Sequence, residues 1–145
     1  MKTLAKTFDE LTNTELYEIM RLRQDVFVVE QNCPYFDLDG VDYKSVHVFI
    51  EDGGSLVAYL RIFPRDGEEG IIQVGRVVTR ERKKGYGAAI LSEGLRVARE
   101  RFSPSGFYLE AQTYAVGYYA REGFEVVSDE FLEDGIPHVQ MRKYE

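Results

Sequence analysis

The spacing of apolar and polar positions divides the chain into short segments of alternating type. Leu16, Ile19, Met20 and Val26 recur at helical intervals, while Glu18, Arg21 and Gln24 fall on the other side. Thr12 followed by Glu15 forms a capping-box pattern, so the spacing predicts a first helix over about 13 to 25. Ser45 to Glu51 and Ser55 to Phe63 are β-rich runs joined by Asp52-Gly53-Gly54, a hairpin signal. A turn over Pro64 to Gly70 leads into a third strand, Ile71 to Thr79. Helical periodicity returns after Gly85 with Ala88, Leu91, Leu95, Ala98 and Phe102, and Ser103-Pro104-Ser105-Gly106 stops it. Phe107 to Gln112 predicts a strand, and Ala115 to Glu122 a short helix closed by a left-handed cap at Gly123. Phe124 to Val127 and His138 to Lys143 predict a final strand pair joined across Glu133-Asp134-Gly135-Ile136-Pro137. The resulting order, αβββαβαββ, predicts an α+β fold in which helices cover a mixed sheet.

Val29 to Tyr43 does not fit either period. It holds Pro34, Gly40 and several acidic or amide residues, and reads as a loop long enough to be functional. With 145 residues and 44% hydrophobic content, the chain is expected to form one domain, 1–145, without metal or disulfide staples. A net charge of -7 argues against nucleic acid or an anionic membrane surface as partner, since both need an extended positive footprint. The single Cys33 has no partner for an intramolecular disulfide, and His47 and His138 show no zinc spacing. Asp37, Asp39 and Asp42 resemble a calcium loop, but the glycine and the twelfth residue, Val48, are wrong, so no metal is expected. The first 25 residues lack the apolar core of a signal peptide, and no stretch reaches a membrane span, so the expected location is cytoplasmic.

Against that acidic background, Arg80 to Lys84 forms a local basic cluster. It sits between the strand Gly75-Arg76-Val77-Val78-Thr79 and the glycines Gly85 and Gly87 that open the second helix. A helix start leaves backbone N–H groups unpaired and carries partial positive charge, and glycine lets phosphate oxygens approach the backbone. A basic turn alone is more often a solvated face; the glycines and the helix favour an anion cradle over that reading.

The turn Arg82-Lys83-Lys84-Gly85-Tyr86-Gly87 resembles motif A of the GCN5-related N-acetyltransferases (GNAT), whose pattern is Gln or Arg, two residues, Gly, one residue, Gly or Ala. Ala115 to Phe124 is similar to the second signature of that family, an Ala, an aromatic-Tyr pair and Gly-Phe. Gln31-Asn32-Cys33-Pro34-Tyr35, Asp37-Leu38-Asp39-Gly40 and Glu133 to His138 are similar to its ElaA-like branch, so the resemblance spans nearly the whole chain. It implies a GNAT-like, mostly antiparallel sheet that splays open where acyl-CoA binds. It also implies an acyltransferase that moves the acetyl group of acetyl-CoA directly to an amine, on a small molecule or a peptide, in a monomer or homodimer.

Site residues follow from the same resemblance. The pyrophosphate of acetyl-CoA would lie on the amides of Lys84, Gly85, Tyr86, Gly87 and Ala88, with Arg82 and Lys83 beside it. The pantetheine arm would run along Val77, Val78 and Thr79, where the N–H of Val77 or Val78 polarises the thioester carbonyl. Tyr119 matches the family's general acid, and Glu110 a carboxylate that serves as base in some relatives. Gln112 stands where the family often has an Asn holding the pantetheine arm. Of the pair Tyr118 and Tyr119, adjacent helix residues point apart, so Tyr118 is expected in the core. Glu30, Cys33 and His138 are expected on the acceptor side, where the acidic loop Glu30 to Asp42 with Glu133 and Asp134 suits a cationic amine. Two other readings compete: a non-catalytic acyl-CoA-binding or regulatory module, and a nucleotide-binding protein. The second lacks a Walker lysine pattern and a Gly-x-Gly-x-x-Gly after a strand.

Overall fold

Residues 1–82 and 84–145 are described in a computed structural model; Lys83, expected above to touch the cofactor, lies outside the described residues. The elements are β1 (Lys2–Thr7), α1 (Asn13–Arg23), β2 (Val46–Asp52), β3 (Ser55–Pro64), β4 (Ile71–Thr79), α2 (Tyr86–Phe102), β5 (Gly106–Gln112), α3 (Val116–Ala120), β6 (Glu125–Val126), β7 (Phe131–Glu133) and β8 (Ile136–Tyr144). They form one sheet in the order β1-β2-β3-β4-β5-β8-β6, with β7 also on β8. Every pairing is antiparallel except β4 with β5.

The capping box at the start of α1 forms as the pattern requires. Glu15 N–H donates to Thr12 Oγ1 (3.0 Å) and Thr12 N–H to Glu15 Oε1 (2.8 Å). Thr12→Ala is expected to cost about 1 kcal/mol of stability in urea denaturation, because one orphan donor of the first turn loses its partner. The helix then runs into a π-helical stretch, Gln24–Glu30, so part of the predicted loop is helical.

The two main helices cover opposite faces. Ile90, Leu91, Leu95 and Ala98 of α2 pack with Val48, Ile50, Leu60 and Ile62, while Ile19 and Leu22 of α1 pack with Phe49, Tyr59 and Val78. The alternation Val48, Phe49, Ile50 sends successive side chains to opposite helices, which is why β2 and β3 read as continuous apolar runs. Gly94 lets α2 sit close on β3, since a Cβ there would lie 2.6 Å from Leu60 Cδ2.

Two strands escaped the pattern. β1 is a polar edge strand, Lys-Thr-Leu-Ala-Lys-Thr, paired Leu4↔Phe49 and Lys6↔His47, and its sequence carries little apolar alternation. The expected pairing of β6 with β8 forms, but the connection between them holds a further strand, β7, which makes a tight hairpin with β8 across Asp134 (φ 51) and Gly135 (φ 77), both left-handed.

Candidate active site

The sheet opens in the middle. β4 and β5 pair only over Ile71↔Gly106, Ile72↔Phe107 and Gln73↔Tyr108, and then part. The opening is built by a bulge in β4: Tyr59 pairs with Val78 and Arg61 with Gly75, so Arg76 and Val77 together face Leu60 alone. Arg76 takes φ 52, a left-handed conformation that costs a non-glycine residue about 1–3 kcal/mol and needs surroundings to hold it.

Those surroundings are a buried ion network. Arg23 reaches Asp37 (3.0 Å) and Asp42 (2.6 Å), Arg61 reaches Asp39 (2.7 Å) and Asp42 (3.1 Å), and Arg76 reaches Asp37 (2.9 Å) and Asp39 (3.3 Å). His47 closes it with Nε2 on the Asp42 carbonyl (2.9 Å) and Nδ1 on the Tyr59 hydroxyl (2.7 Å). Burial alone would raise the Asp39 carboxyl, but the hydrogen bonds and charge of Arg61 hold it down at about 2. This corrects the expectation for the acidic loop: Asp37, Asp39 and Asp42 are neutralised by arginines and do not present free charge to an acceptor.

Next to the split stands the start of α2. Gly85 is its N-cap with φ 76, and a Cβ there would meet nothing within 4 Å among the described residues. The first helical bond runs from Ala89 N–H to the Gly85 carbonyl (3.1 Å), which leaves the N–H groups of Tyr86, Gly87 and Ala88 ahead of it without a side-chain cap. On β4 the Arg80 N–H donates to the Val57 carbonyl on β3 (2.8 Å). Strand amides alternate between edges, so the Val78 N–H also faces β3, while those of Val77 and Thr79 face the split. Of the two amides considered above, Val77 is therefore the one available to a ligand.

The split continues into a cavity of about 1020 Å³ lined by Val77, Val78, Thr79, Arg82, Gly87, Glu110, Gln112, Tyr119, Cys33 and His138 among the expected residues. Lys84, Gly85, Tyr86 and Ala88 lie outside it, at the helix start. The Tyr86 side chain turns away, donating to Asp52 (2.5 Å), so its backbone alone serves the cradle. Lys84 is exposed beside Glu81 (3.5 Å). Glu30 departs from its expected role: it pairs with Arg82 (3.1 Å) at a shallow recess shared with Gln31 and Gln112, and does not line the main cavity. Gln112 Nε2 donates to Gln31 Oε1 (3.3 Å), tying β5 to the end of the π-helical stretch.

The two tyrosines of α3 exchange the depths expected of them. Tyr119 is buried, with Tyr118 and Phe124 edge-on to its ring, whereas Tyr118 is half-buried and its hydroxyl donates to the Gly87 carbonyl. Tyr118 thus braces the helix start, a role its position in the sequence did not reveal. Burial first, then the neighbouring tyrosines, pushes the Tyr119 phenol well above its usual pKa, so it stays protonated at neutral pH.

Tyr119 shares the cavity with the ionisable groups Glu110, Glu133 and His138. Glu110 accepts from the Tyr108 hydroxyl (2.8 Å). His138 places Nδ1 on the Ile136 carbonyl (2.7 Å), so Nδ1 carries the proton, and Nε2 faces Glu133 Oε2 at 3.3 Å. Burial first, then the neighbouring Glu110 carboxyl, pushes the Glu133 carboxyl up to about 7. Cys33 Sγ contacts the Asp134 carbonyl (3.6 Å) and anchors the hairpin turn that carries Glu133. Glu133 was legible in the sequence only as part of an acidic surface; it comes to line the same cavity as Glu110 because β7 and β5 both pair with β8.

A mostly antiparallel sheet split by a bulge, with an uncapped helix start beside the split, is the architecture of the N-acyltransferases. The chain belongs to the GNAT family, in its ElaA-like branch: the profile described as Acetyltransferase (GNAT) domain matches residues 23–145. A UPF0039 protein of Schizosaccharomyces pombe is 44% identical over 146 residues, covering 98% of this chain and 96% of the relative. An acyl-CoA N-acyltransferase from Pseudomonas aeruginosa superposes with a TM-score of 0.91 at 38% identity, covering 99% of both chains. ElaA of Escherichia coli does so with a TM-score of 0.91 at 34% identity, covering 98% of both. Among the described residues no helix is long and apolar enough to cross a membrane.

Proposed function

We propose that this protein is a cytoplasmic enzyme with one N-acetyltransferase domain spanning residues 1–145, which moves the acetyl group of acetyl-CoA directly onto a primary amine of a small molecule or peptide. The observation that carries the reading is convergence. The N–H groups of Tyr86, Gly87 and Ala88 stand at the helix start beside the split, and Val77, Thr79, Tyr119, Glu110 and Glu133 line the cavity into which the split continues.

The residues fit the co-substrate. The α2 start, with Arg82 and Lys84 near it, suits a pyrophosphate, and the open edge of β4 suits an extended arm that takes the place of a missing strand. Acetyl-CoA supplies a carbonyl activated as a thioester. The Val77 N–H, fixed by the bulge, is aimed where negative charge develops on that carbonyl oxygen. Tyr119, kept protonated by its burial and lining the cavity, would donate to the departing sulfur.

The acceptor arrives as an ammonium, because an alkylamine has a pKa of about 10.4. Glu110 and Glu133 attract that cation and take its proton, and His138 beside Glu133 gives the proton a route onward. Holding both reactants in one geometry supplies much of the remaining rate advantage.

Release of free thiol from acetyl-CoA, followed across a panel of amines and peptides, tests the proposal. Tight CoA binding with no thiol release for any acceptor would overturn it. The pH profile is a sharper check. The base must be unprotonated to take a proton from the ammonium, so kcat/KM per total amine is expected to rise tenfold per pH unit below about 7 and to level off between there and the pKa of the amine. Glu133→Gln should remove that inflection.

A further inference from the structure

Gly75 needs neither the conformational freedom nor the compactness of glycine. Its φ lies outside the left-handed region, and an added Cβ would meet only Arg61 Nε, at an ordinary 3.7 Å. What a side chain would take is room in the cavity, which Gly75 lines together with Arg61 and Glu110.

Three strands bring these residues into one row. Arg61 on β3 is the register partner of Gly75 on β4. β4 and β5 pair through Gln73↔Tyr108, and two residues further along each strand come Gly75 and Glu110, on the same face by the period of two. Arg61 thus lies one strand spacing from Gly75, and Glu110 lies beyond Gly75 on the same face, across the point where β4 and β5 have parted.

The walls of this trough differ in chemistry. On one side Glu110 and Glu133 offer carboxyl oxygens to an ammonium group. On the other, Arg61 is 4% exposed and donates from Nη1 and Nη2 to Asp39 and Asp42, yet its Nε–H has no hydrogen-bond partner among the described residues. A buried donor beside open floor calls for an oxygen. The charge there is already matched, since Arg23, Arg61 and Arg76 face Asp37, Asp39 and Asp42. A neutral carbonyl therefore suits Nε better than another carboxylate.

We propose that Arg61 Nε, Gly75 and the Glu110–Glu133 pair form the acceptor subsite, and that it takes a primary amine with a neutral carbonyl oxygen beside it, the aminoacyl amide class. This rests on the acetyl-transfer reading above. The amine is held at the carboxyls while the carbonyl accepts from Nε, and the flat floor over Gly75 admits the atoms that join them.

The test compares L-alaninamide, isopropylamine and L-alanine as acceptors, with rates of thiol release expressed per free amine. L-alaninamide is expected to exceed isopropylamine in kcat/KM by roughly tenfold or more, and also to exceed L-alanine, because the amine alone forgoes a bond to a charged donor. Gly75→Ala is expected to erase that preference while CoA affinity, read by calorimetry, is kept. Equal rates for L-alaninamide and isopropylamine in the wild-type protein, or a preference for L-alanine, overturn the subsite and leave acetyl transfer standing. Should no amine release thiol, acetyl transfer itself fails, and titration of L-alaninamide into CoA-saturated protein decides the subsite: absence of binding overturns it. If Gly75→Ala does not fold by circular dichroism, the wild-type ratios alone decide.

Discussion

Replacing Arg23 by Met is expected to lower the unfolding free energy by about 3–5 kcal/mol, because the substitution leaves Asp37 and Asp42 buried without their common cation. Arg23 is fully buried at the end of α1, and its guanidinium also donates to the Asp37 carbonyl (2.9 Å), so backbone and side chains of the loop lose their anchor together. The pH dependence should change with it. Burial would raise the Asp42 carboxyl, yet the hydrogen bond and charge of Arg23 hold it below the usual carboxylate range. A carboxyl depressed on folding contributes stability that is present above its ordinary pKa and lost as pH falls through the depressed value. In Arg23→Met that acid-side loss should flatten, and adding Asp42→Asn should recover part of the stability by removing the stranded charge. Urea denaturation at several pH values measures both effects. A change below about 1 kcal/mol would show that the network does not hold the loop.

The second large effect is on catalysis. Tyr119→Phe is expected to lower kcat by roughly 100-fold while CoA affinity stays near that of the wild type. Only a hydroxyl is removed, and the ring contacts with Tyr118 and Phe124 remain. Because the buried phenol has a raised pKa, its contribution is a hydrogen bond to charge growing on sulfur more than complete proton transfer. Steady-state kinetics with calorimetric CoA binding checks the split, and unchanged turnover at neutral pH removes Tyr119 from the acid role. Tyr118→Phe makes a useful comparison, since it frees the Gly87 carbonyl and so should act on the helix start that Tyr118 braces.

How much was legible beforehand depends on how local each signal is. The Thr12–Glu15 cap, the hairpin at Gly53 and Gly54, β4 and the α2 start at Gly85 are written in residues a few positions apart, and each forms where its pattern lies. β1 was invisible because an edge strand of Lys, Thr and Ala has no buried face of its own to announce it. The loop from Glu30 to Asp42 read as a free acidic surface because the cations that neutralise it sit on α1, β3 and β4, far away in the chain. The bulge at Arg76 left no mark either, since a non-glycine residue with positive φ is chosen by what holds it, here Asp37, Asp39 and the ring of Tyr35.

The sequence by itself determined the helix caps, the hairpin and the glycine turn that opens α2, because each depends on local backbone chemistry, and it carried the two stretches that resemble signatures of the GNAT family. Only the tertiary structure decided that the Val77 amide faces the split, that Glu133 comes to line the same cavity as Glu110, and that Arg61 Nε is buried beside Gly75 without a hydrogen-bond partner among the described residues. These are properties of strand register and of charges brought together from distant segments, and neither is written in any one stretch of chain.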